Sequence, residues 1–119
     1  MATYSNLPCV IHPSVFTAEL DDNKFYICIT NNVNETLARW RSGQGPIFVR
    51  KHRFRKIIEI EGYGNEHILQ TMTVKYMIDK GYKNVRSSIK GHLANTDEIP
   101  KFYTEFKQRF NIVDTKIKP

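Results

Sequence analysis

Two apolar runs separated by a polar turn open the patterned part of the chain. Val15, Phe16 and Leu20 precede the cluster at positions 21–23, and the run FYICIT at 25–30 follows it. The cluster consists of Asp and Asn, which favour tight turns because their side chains bond to nearby backbone groups. The second run is rich in aromatic and β-branched residues, which are typical of strands. The pattern predicts a β-hairpin.

A helix is predicted directly after the hairpin. The asparagines at 31 and 32 can accept hydrogen bonds from the first free N–H groups of a helix. Val33, Leu37 and Trp40 follow at helical spacing. Gly43 is expected to end this helix, and the Gly-Pro pair at 45 and 46 prevents its continuation. The basic residues that come next are predicted to form a loop.

A third strand and a second helix follow that loop. Residues 56–61 place Ile58 and Ile60 on the face opposite Glu59 and Glu61, which predicts a strand. A glycine-containing turn at 62–64 then leads to a helix from about residue 65 to residue 80. The apolar stripe of that helix, which is expected to be core, consists of Ile68, Leu69, Met72 and Tyr76, and Gly81 marks its end.

The two ends of the chain are predicted to be separate from this domain. Residues 1–13 are expected to form an extended arm, 14–90 the domain, and 91–119 a C-terminal helix and tail, with 82–98 a loop. The C-terminal helix carries an apolar stripe that either covers the sheet or docks on a partner protein. The stripe consists of Phe102, Phe106, Phe110 and Val113.

Length and composition indicate one folded domain. The chain has 119 residues, of which 40% are hydrophobic. Its two cysteines, Cys9 and Cys28, form neither a disulfide framework nor a zinc-binding pattern. Neither an apolar run long enough to span a membrane nor a signal peptide is evident, so the expected location is intracellular, without membrane contact.

Charge adds a candidate binding surface. With 18 Lys and Arg against 12 Asp and Glu, the net charge is +6, which favours polyanionic partners. No acidic residue occurs from position 36 to position 58. Such a run is either a solvated face or a surface that binds nucleic acid or an acidic protein, and its self-repulsion favours binding. Its members are Arg39, Arg41, Arg50, Lys51, His52, Arg53, Arg55 and Lys56. Phe48 and Phe54, interleaved with these charges, could stack on bases or pack beneath the loop.

The order of these elements resembles a known family. The run TNNVNETLARWRSGQGPIFVRKHRFRKIIEI and the later run TVKYMIDKGYKNVRSS resemble segments of the GIY-YIG nuclease superfamily, the second as found in viral and protist members. The resemblance covers about residues 14–90. It implies an α+β fold in which helices flank a three-stranded antiparallel sheet. Active members cut DNA phosphodiesters with one divalent cation, a tyrosine, an arginine and a glutamate.

The resemblance places the two family motifs on the predicted hairpin. The GIY element falls at positions 14–16 and the YIG element at positions 26–28. Phe16 stands where the first motif has a tyrosine, and it has no phenolic oxygen that could act on water. Tyr26 keeps the tyrosine of the second motif, either as a catalytic group or as a packed side chain.

The remaining functional positions of the family are also changed. Its arginine aligns with Thr36, its histidine with Trp40 and its metal-binding glutamate with Leu69. A hydroxyl carries no fixed positive charge and an alkyl group cannot bind a hard cation. Arg39, one helical turn from the arginine position, and Glu66, three residues from the glutamate position, are the candidate substitutes.

Three functional hypotheses follow. The first is a catalytically degenerate GIY-YIG-like domain of a large DNA virus, which acts as a DNA-binding or structural module and needs no cofactor. The second is an active endonuclease with a rearranged site built from Tyr26, Arg39 and Glu66, in which Glu66 holds Mg²⁺. The third is an accessory subunit of a capsid or transcription complex that makes no contact with nucleic acid.

Overall fold

A four-stranded mixed sheet with helices on both faces forms the domain. The computed structural model describes residues 12–89 together with Thr104, Glu105 and Gln108. In chain order its elements are β1 Ser14–Leu20, β2 Phe25–Thr30, α1 Val33–Arg41, α2 Ile47–Lys51, β3 Phe54–Glu61, α3 Glu66–Lys80 and β4 Val85–Ser87, with short 3₁₀ turns at Asp21–Asn23 and Tyr82–Asn84.

The predicted hairpin is confirmed. β1 and β2 pair in antiparallel fashion, with Ser14 opposite Thr30 and Glu19 opposite Phe25. The polar cluster forms the connection, in which Asp22 has a φ of 65°. Asp tolerates this left-handed conformation better than most residues, so the turn chemistry read from the sequence is the chemistry that closes the hairpin.

The sheet has four strands in the order β3-β1-β2-β4, so the expected three-stranded antiparallel sheet is wrong in strand number and direction. β4 runs parallel to β2, with Val85 opposite Phe25 and Ser87 opposite Ile27. It lies inside the segment predicted to be a loop. Three residues are too few to show alternation, and β4 depends on contacts with α3 and β2 that only the folded chain provides. The α+β class is confirmed.

The basic segment also differs from the loop predicted for it. It contains the five-residue helix α2, which is too short to produce a periodic pattern. Val49 anchors this helix in the core. β3 begins at Phe54, two residues earlier than predicted, and it pairs with β1 through two register shifts, between Thr17 and Ala18 and between Glu19 and Leu20. These shifts bend an edge strand.

Two hydrophobic cores lie on opposite faces of the sheet, because successive strand residues point to opposite faces. The core under α3 includes Val15, Phe25, Ile27, Leu69, Met72, Val74, Met77 and Val85. The core under α1 and α2 includes Phe16, Ala18, Leu20, Tyr26, Cys28, Leu37, Trp40 and Val49. The two helical layers therefore carry separate surfaces.

The two helices predicted within the domain, α1 and α3, each begin at an asparagine cap. Asn32 accepts a hydrogen bond from the Glu35 N–H at 3.0 Å, and Asn65 accepts one from the Ile68 N–H at 2.9 Å. Gly81, with a φ of 94°, ends α3. Among the described residues, no helix combines the length and the apolar character needed to cross a membrane. The described residues include neither positions 1–11 of the predicted arm nor the stripe residues Phe102, Phe106, Phe110 and Val113.

Candidate functional site

A cleft of about 590 Å³ lies between the end of α1, α2 and the beginning of β3. Trp40, Val49 and Phe54 contribute apolar side chains to its lining. The lining also includes Arg41, Arg50, Arg53 and Arg55. Because guanidinium groups donate in a planar fork that matches phosphate and carboxylate oxygens, this arginine cleft can bind an anion.

Some of the predicted basic residues have acidic partners that the linear sequence did not pair with them. Arg55 Nε lies 3.9 Å from Glu19 Oε2 and also 3.9 Å from Asp21 Oδ1. His52 Nδ1 lies 3.2 Å from Asp22 Oδ2. The hairpin therefore supplies acidic partners to two residues of the basic run, His52 and Arg55. Ion pairs at the protein surface contribute little free energy, so an anionic ligand can compete with them.

Five members of the basic run make no ion pair within the part of the chain that the structure describes. They are Arg41, Arg50, Lys51, Arg53 and Lys56. Three of the five line the arginine cleft. The cleft thus carries uncompensated positive charge, as a binding surface for an anion requires.

The two phenylalanines of the basic run pack against neighbours. Phe48 is half-buried, with its ring centroid 4.9 Å from that of His52 and the Arg86 guanidinium 5.0 Å above it. Phe54 lies 5.9 Å from the Trp40 ring in an edge arrangement. Arg86 belongs to β4, and sequence reasoning missed it because its position was assigned to a loop. Burial lowers the pKa of Arg86.

A second cleft, of about 380 Å³, lies on the other side of Trp40 and holds two of the three predicted catalytic residues. Tyr26 and Arg39 both line it. Arg39 Nη1 donates to Glu35 Oε1 at 2.8 Å, and its Nη2 lies 3.4 Å from Thr36 Oγ1. The Arg39 guanidinium therefore reaches the position where the resemblance places the family arginine.

The acid–base properties of the second cleft do not favour proton transfer at neutral pH. Burial raises the pKa of Tyr26 far above its usual value, and the nearby Cys28 raises it further, so the hydroxyl stays protonated. Burial likewise raises the pKa of the Cys28 thiol to about 11, although Ser88 and Arg39 act in the opposite direction. Neither group is poised as a general base.

Glu66, the third predicted catalytic residue, does not join the other two. It begins α3, which packs on the sheet face opposite to the one that carries Tyr26 and the α1 helix. The structure therefore brings Tyr26 and Arg39 together and leaves Glu66 apart. Across residues 12–89 and the three described residues beyond them, no group of three or more His, Cys, Asp or Glu side chains is arranged to hold a metal ion.

The side chains at the positions that the resemblance aligns with the family's functional residues are buried. Phe16 and Leu69 have no exposed surface, and the Phe16 ring lies 5.5 Å from that of Trp40. Thr36 is buried, and its hydroxyl lies 2.7 Å from that of Thr30. These apolar or neutral side chains thus contribute to packing.

When the chain is compared with protein-family models, with curated proteins and with solved structures, no significant match is found in any of the three. The resemblance to the GIY-YIG nucleases therefore stays a prediction from the two sequence segments described above.

Proposed function

We propose that this chain is a DNA-binding module that holds the phosphate backbone in the arginine cleft and does not cut it. The observation that carries the proposal is the convergence of four arginines from α1, the α2 segment and β3 on one cleft. Contacts to phosphate supply most of the affinity in sequence-independent binding to DNA. The proposal also includes membership in a GIY-YIG-like viral lineage, which the two sequence segments suggest.

The state of the second cleft supports binding without cleavage. Tyr26 is protonated at neutral pH, so it cannot act as a base there. Glu66 lies on the helix of the opposite face, so its carboxylate is not available to the cleft of Tyr26 and Arg39. Phosphodiester hydrolysis needs an activated nucleophile and stabilisation of the charge that develops in the transition state. We therefore rank the endonuclease below the binding module.

A second candidate is contact with an acidic protein surface, as in a subunit of a larger viral assembly. It is favoured by the exposure of Ile58, Ile60 and Tyr63 along the edge strand β3 and the turn after it. Carboxylates would engage the same arginines as phosphates do. This candidate predicts little affinity for free DNA even at low salt.

The salt dependence of DNA binding tests the leading proposal. We expect fluorescence anisotropy of a labelled duplex to show affinity that falls steeply as salt rises, because each neutralised phosphate releases counterions. The combined variant Arg41→Gln/Arg50→Gln/Arg53→Gln should lower the slope of log affinity against log salt by about 2.7, at about 0.9 for each lost phosphate contact.

A matched variant removes the same charge from the other side of the sheet. Lys75→Gln/Lys80→Gln/Lys83→Gln lies on α3 and the turn after it, away from the cleft. It should leave most of the slope intact. Equal effects of the two triple variants would show that only net charge matters, and an affinity without salt dependence would reject the phosphate contacts.

A further inference from the structure

One large apolar side chain stands in the middle of the basic surface. Within the described part of the chain, the exposed large hydrophobic residues are Ile47 at 74%, Tyr63 at 73%, Ile60 at 53% and Ile58 at 38%. The last three lie in or beside β3, where Glu59 and Glu61 would repel phosphates. Ile47 is the member of this set that shares a short helix with Arg50 and Lys51.

Ile47 lies in the chain between residues that line the two clefts. Pro46, the residue before it, lines the cleft of Tyr26 and Arg39, whereas Val49 and Arg50 line the arginine cleft. Ile47 is the first residue of α2, so Arg50 and Lys51, three and four residues later, share its side of the helix. Cations that can hold phosphates therefore lie beside this apolar side chain.

The packing of α2 does not account for this side chain. Val49 is buried in the core and Phe48 packs partly against it, while Ile47 belongs to neither core. A single exposed isoleucine needs no explanation by itself. Its position close to Arg50 and Lys51, beside the arginine cleft, is what gives it a role. Proteins that distort DNA place an apolar side chain between base steps while cations hold the adjacent backbone.

We propose that Ile47 is a wedge that contacts an unstacked base, so that the preferred ligand is DNA containing a bulge or a nick rather than intact duplex. This inference rests on the proposed DNA-binding function. Separating an intact base step costs energy that the burial of one isoleucine offsets only in part. At a bulge or a nick that cost is already reduced, and the contact becomes favourable.

Three labelled duplexes of the same sequence test the inference with the full chain. One is intact, one contains a single-nucleotide bulge and one contains a nick. We expect the wild-type chain to bind the bulged duplex on the order of tenfold more tightly than the intact duplex. Ile47→Ala should abolish this preference, while its affinity for intact duplex and its salt slope stay unchanged because the arginines remain.

Ile60→Ala is the matched control, because it removes the same atoms from another exposed position, between two glutamates. It should bind all three duplexes as the wild type does. A 2-aminopurine beside the bulge should brighten when the wild-type chain binds and should not brighten with Ile47→Ala. Thermal unfolding should confirm that both variants fold, since both side chains are exposed.

The outcomes separate the two proposals. Salt-dependent binding without any preference for the bulge or the nick, or a preference that Ile47→Ala retains, overturns the wedge and leaves the DNA-binding module standing. Binding to none of the three duplexes rejects the module and the wedge together. In that case Ile47 is expected to contact a partner protein instead.

Discussion

Replacing Gly45 by alanine should destabilise the fold by forcing a methyl group against Trp40, which lines both clefts. A Cβ at position 45 would lie 2.9 Å from Trp40 Cδ1, 3.2 Å from its Cγ and 3.5 Å from its Cα. The indole has little room to yield, because the rings of Phe16, Tyr26 and Phe54 lie 5.5 Å, 5.7 Å and 5.9 Å from it. Either the indole or the turn between α1 and α2 must move.

The magnitude follows from two opposing effects. Overpacking a filled core costs about 1–3 kcal/mol. Replacing glycine by alanine also restricts the unfolded chain, which stabilises the folded state by about 0.4–1 kcal/mol. We therefore expect Gly45→Ala to lower the free energy of unfolding by about 1–2 kcal/mol. With a urea m-value of about 1–3 kcal/mol/M, the midpoint should fall by about 0.3–2 M.

Equilibrium unfolding in urea, followed by the fluorescence of the single tryptophan, measures this change directly. Gly62→Ala is the matched control, because a Cβ at position 62 meets no atom within 4 Å. That control should be neutral or slightly stabilising. If the two variants unfold at the same urea concentration, the close contact with Trp40 is not as tight as the structure has it, and the reasoning fails.

Two further predictions concern chemistry and pH. A plasmid incubated with the chain and Mg²⁺ or Mn²⁺ should stay uncut, and metal-dependent cutting that Glu66→Ala or Tyr26→Phe abolishes would establish the endonuclease instead. Burial and a hydrogen bond to Glu59 raise the pKa of Tyr76 from 10.0 to about 12, so the folded state retains this proton more strongly. The resulting stabilisation is fully present below pH 10 and is lost between pH 10 and about 12. The Tyr76 hydroxyl also lowers the pKa of Glu59, and that stabilisation, present above the ordinary pKa of 4.5, is lost as pH falls through the lowered pKa. Chemical denaturation of Tyr76→Phe across pH should show smaller losses at both ends than the wild type, and identical profiles would contradict this assignment.

The predictions that proved accurate depend on signals between near neighbours in the chain. The polar cluster closes the hairpin, and the caps at Asn32 and Asn65 begin the helices where their side chains can reach the next N–H groups. Gly81 ends α3 by adopting a positive φ. Each of these effects acts over a few residues, so the printed order of amino acids suffices to locate it.

The candidate site was predictable in its charge and not in its geometry. The acid-free run identified the arginines, but only the folded hairpin shows that Glu19 and Asp21 approach Arg55. Arg41, Arg50 and Arg53 make no ion pair among the residues that the structure describes. The family resemblance suggested one site built from Tyr26, Arg39 and Glu66. Their positions on strands and helices divide them between two faces, because the face of a residue depends on strand alternation and helix packing across the whole sheet.

The amino-acid sequence by itself determined the hairpin, the capped helices and the basic character of one segment. Only the tertiary structure decided that Val85–Ser87 joins the sheet in parallel, that Ile47–Lys51 is helical and that Ile47 rather than Phe48 faces solvent among the cations. The physical reason is that short elements gain too little from local interactions to form alone. Their conformation is stabilised by contacts with residues distant in the chain, which no local pattern records.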